Sequence, residues 1–240
     1  MLAQGYVQQS LDASERSGNL VDQANALTNL GLLTESQGLL ADSIGYSLQA
    51  MQINEQIGSR RMLAITALNV GWAYYNLDQF DQAHQYFTQG LERAIQVRDT
   101  YQQMRLLRSL GYVLTVLGEW YSAERTIQQS QFIAIQLHLP AEQLDGHVAL
   151  AELALQQGDR DTAIQEYEQG KLLVIDSESE EYGRFQRLEA KIALAQGDTA
   201  RAIELLRANQ VLFTQLENVP EADRSRKMLN QILATSDQLI

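Results

Sequence analysis

Three aromatic residues and two arginines are the side chains of this sequence best suited to bind a ligand. Trp72 and Tyr75 are three positions apart, which places them on one face of a helix. Tyr112 stands further along the chain, near Arg105 and Arg108. Aromatic rings beside arginines are enriched at binding hot spots, and two guanidinium groups can hold a carboxylate. The pattern indicates a binding surface. The alternative is that the rings are partly core and the arginines pair with nearby acids.

Residues that support catalysis or metal binding do not occur in workable patterns. The histidines, His84, His138 and His147, fall at non-equivalent places along the chain. Asp159 and Asp161 stand at a predicted helix start, where carboxylates cap free amides. The sequence has no phosphate-binding glycine loop, no serine with a partnered histidine and no cysteine. We therefore expect no enzyme activity, no metal site and no cofactor.

A pair of helices over residues 64–99 must position the aromatic residues. Apolar or small residues recur three or four positions apart on both sides of Asn76-Leu77-Asp78, which predicts two helices joined by a turn. Small residues such as Gly71 mark the first helix, and large ones such as Phe87 mark the second. A glycine facing the partner helix allows close packing while an aromatic ring fills the space beside it.

The same helix pair returns at a constant offset along the chain, which we call the repeat period. Gly31, Gly71, Gly111 and Ala151 occupy equivalent places, each 40 positions after the one before, and Ala190 follows after a one-residue deletion. This period predicts five complete repeats in a single array over residues 1–240. The predicted repeats span about 20–58, 60–98, 100–138, 141–176 and 180–218.

Both ends of the sequence depart from the repeat. Residues 2–17 match the second helix of a repeat, since Gly5-Tyr6 precedes Gly45-Tyr46 by one repeat period. We interpret this segment as an orphan second helix at the edge of a fragment of a larger protein; a natural start at Met1 is the alternative. Residues 221–238 are predicted to form a capping helix, because terminal repeats need a polar outer face.

The repeat resembles the tetratricopeptide repeat family. The resemblance rests on Asn69-Val70-Gly71-Trp72-Ala73-Tyr74 with Phe80, Ala83 and Phe87. The common form of that family has a shorter repeat, and the longer period of this chain is similar to the longer-helix variety of kinesin light chain and of some bacterial regulators. The resemblance implies an all-α, right-handed superhelical solenoid of antiparallel helix pairs.

In such a solenoid, the first helices line a concave surface. In related repeats, asparagines equivalent to Asn29 and Asn69 hold the backbone of an extended peptide, because an amide offers both a donor and an acceptor. The alternative is that each asparagine bonds a neighbouring helix end. The resemblance therefore implies a concave binding face formed by Asn29, Asn69, Trp72, Tyr75, Arg105, Arg108 and Tyr112.

Composition narrows the choice of partner. The net charge of −12 argues against nucleic acid and against an anionic membrane surface, since both require a basic footprint. No apolar run is long enough to span a membrane, and the first residues do not read as a signal peptide. We therefore expect a cytoplasmic protein that binds a protein or a peptide.

The sequence predicts a scaffold module that binds proteins or peptides through its concave surface, within a larger cytoplasmic regulatory protein. One alternative is self-assembly into a homo-oligomer through residues 2–17 or the C-terminal helix, because an exposed apolar face of that size is typical of an interface. A second alternative is a small-molecule effector-sensing domain of a bacterial regulator.

Overall fold

The computed structural model describes residues 2–237, and every regular element within them is an α-helix. The chain divides into two compact units, unit 1 up to Gly118 and unit 2 from Glu119. The helices of unit 1 are α1 (Leu2–Ser17), α2 (Leu20–Ser36), α3 (Leu40–Gln56), α4 (Arg60–Asn76), α5 (Phe80–Gln96) and α6 (Thr100–Val116). Those of unit 2 are α7 (Trp120–Gln136), α8 (Pro140–Gln157), α9 (Arg160–Lys171), α10 (Glu180–Ala195), α11 (Thr199–Gln215) and α12 (Val219–Asp237).

Each predicted repeat coincides with two of these helices, and the assignment of the helices to five repeats remains a prediction. Helix α1 covers the segment at 2–17 that is predicted as an orphan second helix, and α12 covers the segment at 221–238 that is predicted as a capping helix, of which Gln238 lies outside the described residues. The unit boundary falls inside the third predicted repeat, between α6 and α7. A single array over the whole chain remains a prediction.

The turns share a residue in the left-handed backbone conformation, and these residues recur every half repeat period through most of the chain. Glycine takes this place at Gly18, Gly38 and Gly58, with φ between 69° and 76°. Asp78 and Arg98 take the next two places with φ of 58° and 56°. The backbone conformation ends each helix, because the turn amides then bond to carbonyls of the last helical turn.

Arg98 is a costly choice for such a turn, because a side chain disfavours the left-handed region. We expect Arg98→Gly to raise the unfolding free energy of unit 1 by about 1 kcal/mol. The matched control is Gly58→Ala, which should lower that free energy by a similar amount, because a Cβ at Gly58 meets no atom within 4 Å and only backbone strain changes. Urea unfolding followed by circular dichroism measures both, and equal stability of all three chains would contradict the assignment.

The first helices of unit 1 form its interior. Helix α4 contacts α2, α3, α5 and α6, and nine of its residues are buried. Helix α5 contacts α4 and α6, and only four of its residues, Ala83, Phe87, Gly90 and Ala94, are buried. The second helices are therefore amphipathic, whereas the first helices are packed on several sides.

Close approach of α4 and α5 depends on Gly71. The ring of the fully buried Phe87 lies where a Cβ at Gly71 would point. Around this contact, Ala64, Leu68 and Leu106 complete a buried cluster. The pairing of a glycine on the first helix with an aromatic residue on the second is the one that the sequence predicts.

Unit 2 uses the same helix pairing with one longer connection. Helices α8 and α9 pair, as do α10 and α11, and α10 also contacts α8 and α9. Residues 172–179 join α9 to α10. Helix α12 packs on α11, where Met228, Leu229 and Ile232 meet the buried Leu205 and Leu206.

Candidate protein-binding surface

The predicted aromatic residues meet in unit 1. The ring of Trp72 lies 5.2 Å from that of Tyr75, edge to face at 75°, and 6.0 Å from that of Tyr112 on α6. All three side chains are partly exposed. Trp72 also lies 5.6 Å from the ring of the fully buried Phe87, which anchors the cluster on the core. We call Trp72, Tyr75 and Tyr112 the aromatic cluster.

The repeat itself brings the cluster together. Helices α4 and α6 are first helices of successive repeats and are in contact. Trp72 and Tyr112 occupy the same position in these two repeats, so their side chains project from adjacent helices at the same height. The aromatic cluster therefore spans two repeats, with Phe80 packed against the ring of Tyr75 at 5.4 Å.

The two predicted arginines are on α6 and are partly buried. The guanidinium carbon of Arg105 lies 5.9 Å from the centre of the Tyr101 ring, a cation–π contact. None of the ion pairs found among residues 2–237 involves Arg105. Within that part of the chain, its charge is therefore stacked on a ring without a carboxylate partner. Arg108 has an electrostatic or hydrogen-bonding partner of its own.

The two asparagines differ although they share a repeat position. Asn69 is 6% exposed, and its amide nitrogen makes no hydrogen bond within residues 2–237. Asn29 is exposed and lines a groove with Tyr6 and Ser10 of α1. The structure therefore brings the predicted aromatic residues together and places Asn29 in the groove between α1 and α2.

In unit 2, the repeat positions that hold the aromatic cluster and the arginines in unit 1 carry charged residues that pair with one another. Arg184 on α10 donates from Nε and Nη2 to the two carboxylate oxygens of Asp145 on α8, both at 2.9 Å. Lys191 on α10 donates to Glu152 on α8 at 2.5 Å. Each pair joins residues that are 39 positions apart. Neighbouring first helices are therefore cross-linked by opposite charges.

A third pair joins α10 to α12. Nη1 of Arg187 lies 2.5 Å from Oε2 of Glu221, and the two side chains are only 8% and 13% exposed. Nη1 of Arg224 lies 2.6 Å from the other carboxylate oxygen of Glu221. Burial raises the pKa of the Glu221 carboxyl, but Arg187, Arg224 and Arg184 together outweigh it and hold that pKa at about 2. For Glu152, burial likewise raises the pKa, and Lys191, Arg187 and Arg224 together bring it below its ordinary value.

The sequence did not single out these ion pairs. The available signal was the repeat spacing, because Asp145 and Arg184 carry opposite charges at one repeat position, as do Glu152 and Lys191. The sequence did not indicate Tyr101 either, because its stacking with Arg105 depends on the conformation of the Arg105 side chain. In unit 2 these charged side chains pair with one another, whereas unit 1 has the aromatic cluster and Arg105 partly exposed at the equivalent positions.

Residues 2–237 contain no cluster of three or more acidic or histidine side chains placed to hold a metal ion. Among the same residues, no helix combines the length and apolar character needed to cross a membrane.

Sequence comparison gives two matches to family models, both described as tetratricopeptide repeat. One covers residues 22–96 and the other residues 148–210, which together exceed half of the chain. No curated protein matches the sequence significantly.

Several solved structures have a similar fold. A Rap protein complexed with competence and sporulation factor superposes with a TM-score of 0.71 at 16% identity, over 99% of this chain and 71% of that one. BtubC from P. vanneervenii gives 0.68 at 12% identity, over 89% and 90% of the two chains. A putative kinesin light chain from Podosopora anserina with TPR-like repeats gives 0.57 at 16% identity, over 80% and 95%. The predicted all-α class of antiparallel helix-pair repeats is confirmed.

Proposed function

The chain belongs to the tetratricopeptide repeat family, and from that premise we propose that unit 1 binds a protein partner through an extended peptide segment laid across the aromatic cluster. The module is a non-catalytic scaffold. Its setting, a larger cytoplasmic regulatory protein, is part of the same proposal and rests on the resemblance to bacterial regulators.

The observation that carries the proposal is the partial exposure of three aromatic rings at one place. The side chains of Trp72, Tyr75 and Tyr112 are mostly buried, yet each keeps part of its surface accessible. Trp72 packs on Phe87 and on the rings of both tyrosines, so the three side chains form one group. An apolar side chain of a peptide can cover that area with little loss of rotamer freedom in the rings, because the core already fixes them.

Arg105 supplies the charge selectivity of the proposed surface. Its guanidinium group rests on the Tyr101 ring and keeps its donors available for a carboxylate. The proposed ligand is therefore a peptide with an apolar or aromatic side chain close to an acidic group. Asn69 would have to rotate its buried amide outward to reach such a peptide, so the rings and Arg105 carry most of the binding.

The comparisons support peptide binding at the level of the family. One structure of similar fold is a Rap protein in complex with competence and sporulation factor. At 16% identity this likeness concerns the fold, so the surface of the present chain must be tested directly.

A peptide library displayed on an array tests the proposal with the purified chain. We expect acidic peptides with an apolar residue to bind, and we expect Trp72→Ala to weaken that binding roughly tenfold or more. Arg105→Gln should weaken the same peptides while leaving stability nearly unchanged, because Arg105 makes no ion pair among the described residues. The matched control is Trp120→Ala, which removes the other tryptophan, 44% exposed at the start of α7.

Circular dichroism of each variant separates loss of binding from loss of folding. The proposal is wrong if no peptide binds, or if the peptides that bind have the same affinity for the wild-type, Trp72→Ala and Arg105→Gln chains.

A further inference from the structure

Residues 172–178 follow α9 in unit 2 and lie outside the helices. Helix α9 has 12 residues, whereas the second helices α3, α5, α7 and α11 each have 17. The residues by which α9 is shorter include Val174 and Ile175, whose branched side chains favour an extended backbone. We call residues 172–178 the exit segment, because they leave α9 and lead towards α10.

The exit segment presents two apolar side chains to solvent. Leu173 and Val174 pack against the buried cluster of unit 2. Leu172 and Ile175 on either side of them are 79% and 80% exposed, the two largest exposed fractions among the large apolar side chains of the described residues. Unit 2 therefore holds the segment through its two central side chains and leaves the outer two available for contact with another surface.

Acidic side chains follow the apolar ones directly. Asp176 and Glu178 are both exposed. Oδ1 of Asp176 accepts a hydrogen bond from the backbone N–H of Glu178 at 2.8 Å, which fixes a turn after Ile175. None of the ion pairs found among residues 2–237 involves Asp176 or Glu178. Within that part of the chain, the exit segment thus combines exposed apolar side chains with carboxylates that no cation neutralises.

This combination is the one that the proposed peptide surface of unit 1 would bind. The ring of Trp72 lies 5.2 Å from that of Tyr75 and 6.0 Å from that of Tyr112, so the aromatic cluster has room for more than one apolar side chain. Leu172 and Ile175 are three residues apart, which is at most about 10 Å along an extended chain. The two side chains can therefore cover different rings of the aromatic cluster.

The charges fit at the same spacing. Arg105 precedes Tyr112 by seven positions, which is about 10 Å along a helix. Glu178 follows Ile175 by three positions, a distance of up to about 10 Å in an extended chain. With Ile175 on the Tyr112 ring, the Glu178 carboxylate can therefore reach the guanidinium group of Arg105, which has no carboxylate partner among residues 2–237.

A second copy of the chain can bring the two surfaces together. The exit segment belongs to unit 2 and the aromatic cluster to unit 1, and each is accessible within a single chain. Neither unit has to change its conformation for the contact to form between copies. The net charge of −12 makes two copies repel each other at long range, and carboxylates placed beside Arg105 offset that repulsion where the copies meet.

From this complementarity we propose that the exit segment of one copy binds the aromatic cluster and Arg105 of a second copy. The inference rests on the proposed function, because it names an occupant of the same surface. The contact is heterologous, since a different surface of each copy takes part in it. Self-association therefore competes with any other peptide for the aromatic cluster, so a rise in the concentration of the chain lowers its capacity to bind other partners.

Sedimentation velocity of the full chain over a range of concentrations tests the contact. We expect reversible association, and we expect the double variant Leu172→Ser, Ile175→Ser to raise the dissociation constant roughly tenfold or more, because it removes the apolar side chains that cover the rings. Both residues are exposed, so the fold should stay intact, which circular dichroism checks. The matched control is Val211→Ser on α11, which shares the repeat position of Leu172, is 57% exposed and should leave association unchanged.

Mixing two variants tests whether the contact is heterologous. Trp72→Ala keeps the exit segment and damages the aromatic cluster, whereas the double variant keeps the aromatic cluster and damages the exit segment. Each variant alone should stay monomeric at a concentration at which the wild-type chain associates. An equal mixture of the two should form a complex, because one intact surface of each kind is then present.

The results separate this inference from the proposed function. The peptide array, repeated with the double variant, tests the peptide surface without competition from the exit segment. If array peptides bind there while the wild-type chain stays monomeric up to its solubility limit, the proposed function stands and the self-association is overturned. Association that persists in Trp72→Ala or in the double variant, or a mixture of the two that forms no complex, overturns it as well.

Discussion

Arg187→Met should lower the unfolding free energy of unit 2 by about 3–5 kcal/mol, because it leaves the carboxylate of Glu221 buried without its main partner. The side chains of Arg187 and Glu221 are only 8% and 13% exposed. Methionine is an unbranched side chain that fills much of the space of the arginine stem, although it loses the cation–π contact of the guanidinium carbon with the Phe213 ring, at 5.8 Å. The loss therefore reports the charge rather than a cavity.

Trp120 provides the readout of this experiment. In a Trp72→Phe background it is the sole tryptophan, so its fluorescence during urea unfolding follows unit 2. The double variant Arg187→Met, Glu221→Leu should regain most of the lost free energy, because it also removes the carboxylate that the single variant leaves buried without its partner. Arg226→Met is the control on α12: it breaks an exposed ion pair with Asp223 and should cost less than about 1 kcal/mol. A loss of that small size for Arg187→Met would contradict the assignment.

The same ion pair predicts the acid sensitivity of unit 2. The pKa of Glu221 is about 2 in the folded chain, below its ordinary value of 4.5. Because the folded pKa is depressed, the stabilisation is complete above about pH 4.5 and is lost as the pH falls from there towards 2. Glu221→Gln should therefore be less stable than the wild-type chain by roughly 3 kcal/mol at pH 7, and the difference should shrink below pH 4.5.

Phe87→Ala should lower the unfolding free energy of unit 1 by about 3–5 kcal/mol, because it opens a cavity between α4 and α5. Phe87 is fully buried, and its ring contacts both Gly71 and Trp72. In a Trp120→Phe background, Trp72 is the sole tryptophan, and its fluorescence follows unit 1. The control is Ile95→Ala on α5, where the side chain is 55% exposed and truncation should change the stability of unit 1 by less than about 0.5 kcal/mol.

A double-mutant cycle with Gly71 tests whether this cavity causes the expected loss of stability. In the natural background, Gly71→Ala forces its methyl group into the Phe87 ring and should cost about 1–3 kcal/mol. In the Phe87→Ala background the same methyl group fills part of the cavity, and alanine is a better helix former than glycine by roughly 1 kcal/mol. The effect of Gly71→Ala should therefore change sign. The same cost in both backgrounds would show that Gly71 and Phe87 act independently.

The repeat pattern made the helices of this protein predictable. Small residues at a fixed period identify the sites where helices pack, independently of the residues between them. The aromatic cluster was predictable for the same reason, because Trp72 and Tyr112 share a repeat position. Asn69 illustrates where the same logic stops. Its repeat position equals that of Asn29, but coverage by neighbouring helices leaves one buried and the other exposed.

The sequence by itself determined the helix pairs, their turns and the contact of Gly71 with Phe87, because these depend on local periodicity and on neighbours close along the chain. Only the tertiary structure decided which charges meet and which rings stay exposed. The partners of Arg184 and Arg187 lie 39 and 34 positions away, and side-chain paths over that distance depend on how whole helices pack. Periodicity specifies the face of a helix, and packing specifies what covers it.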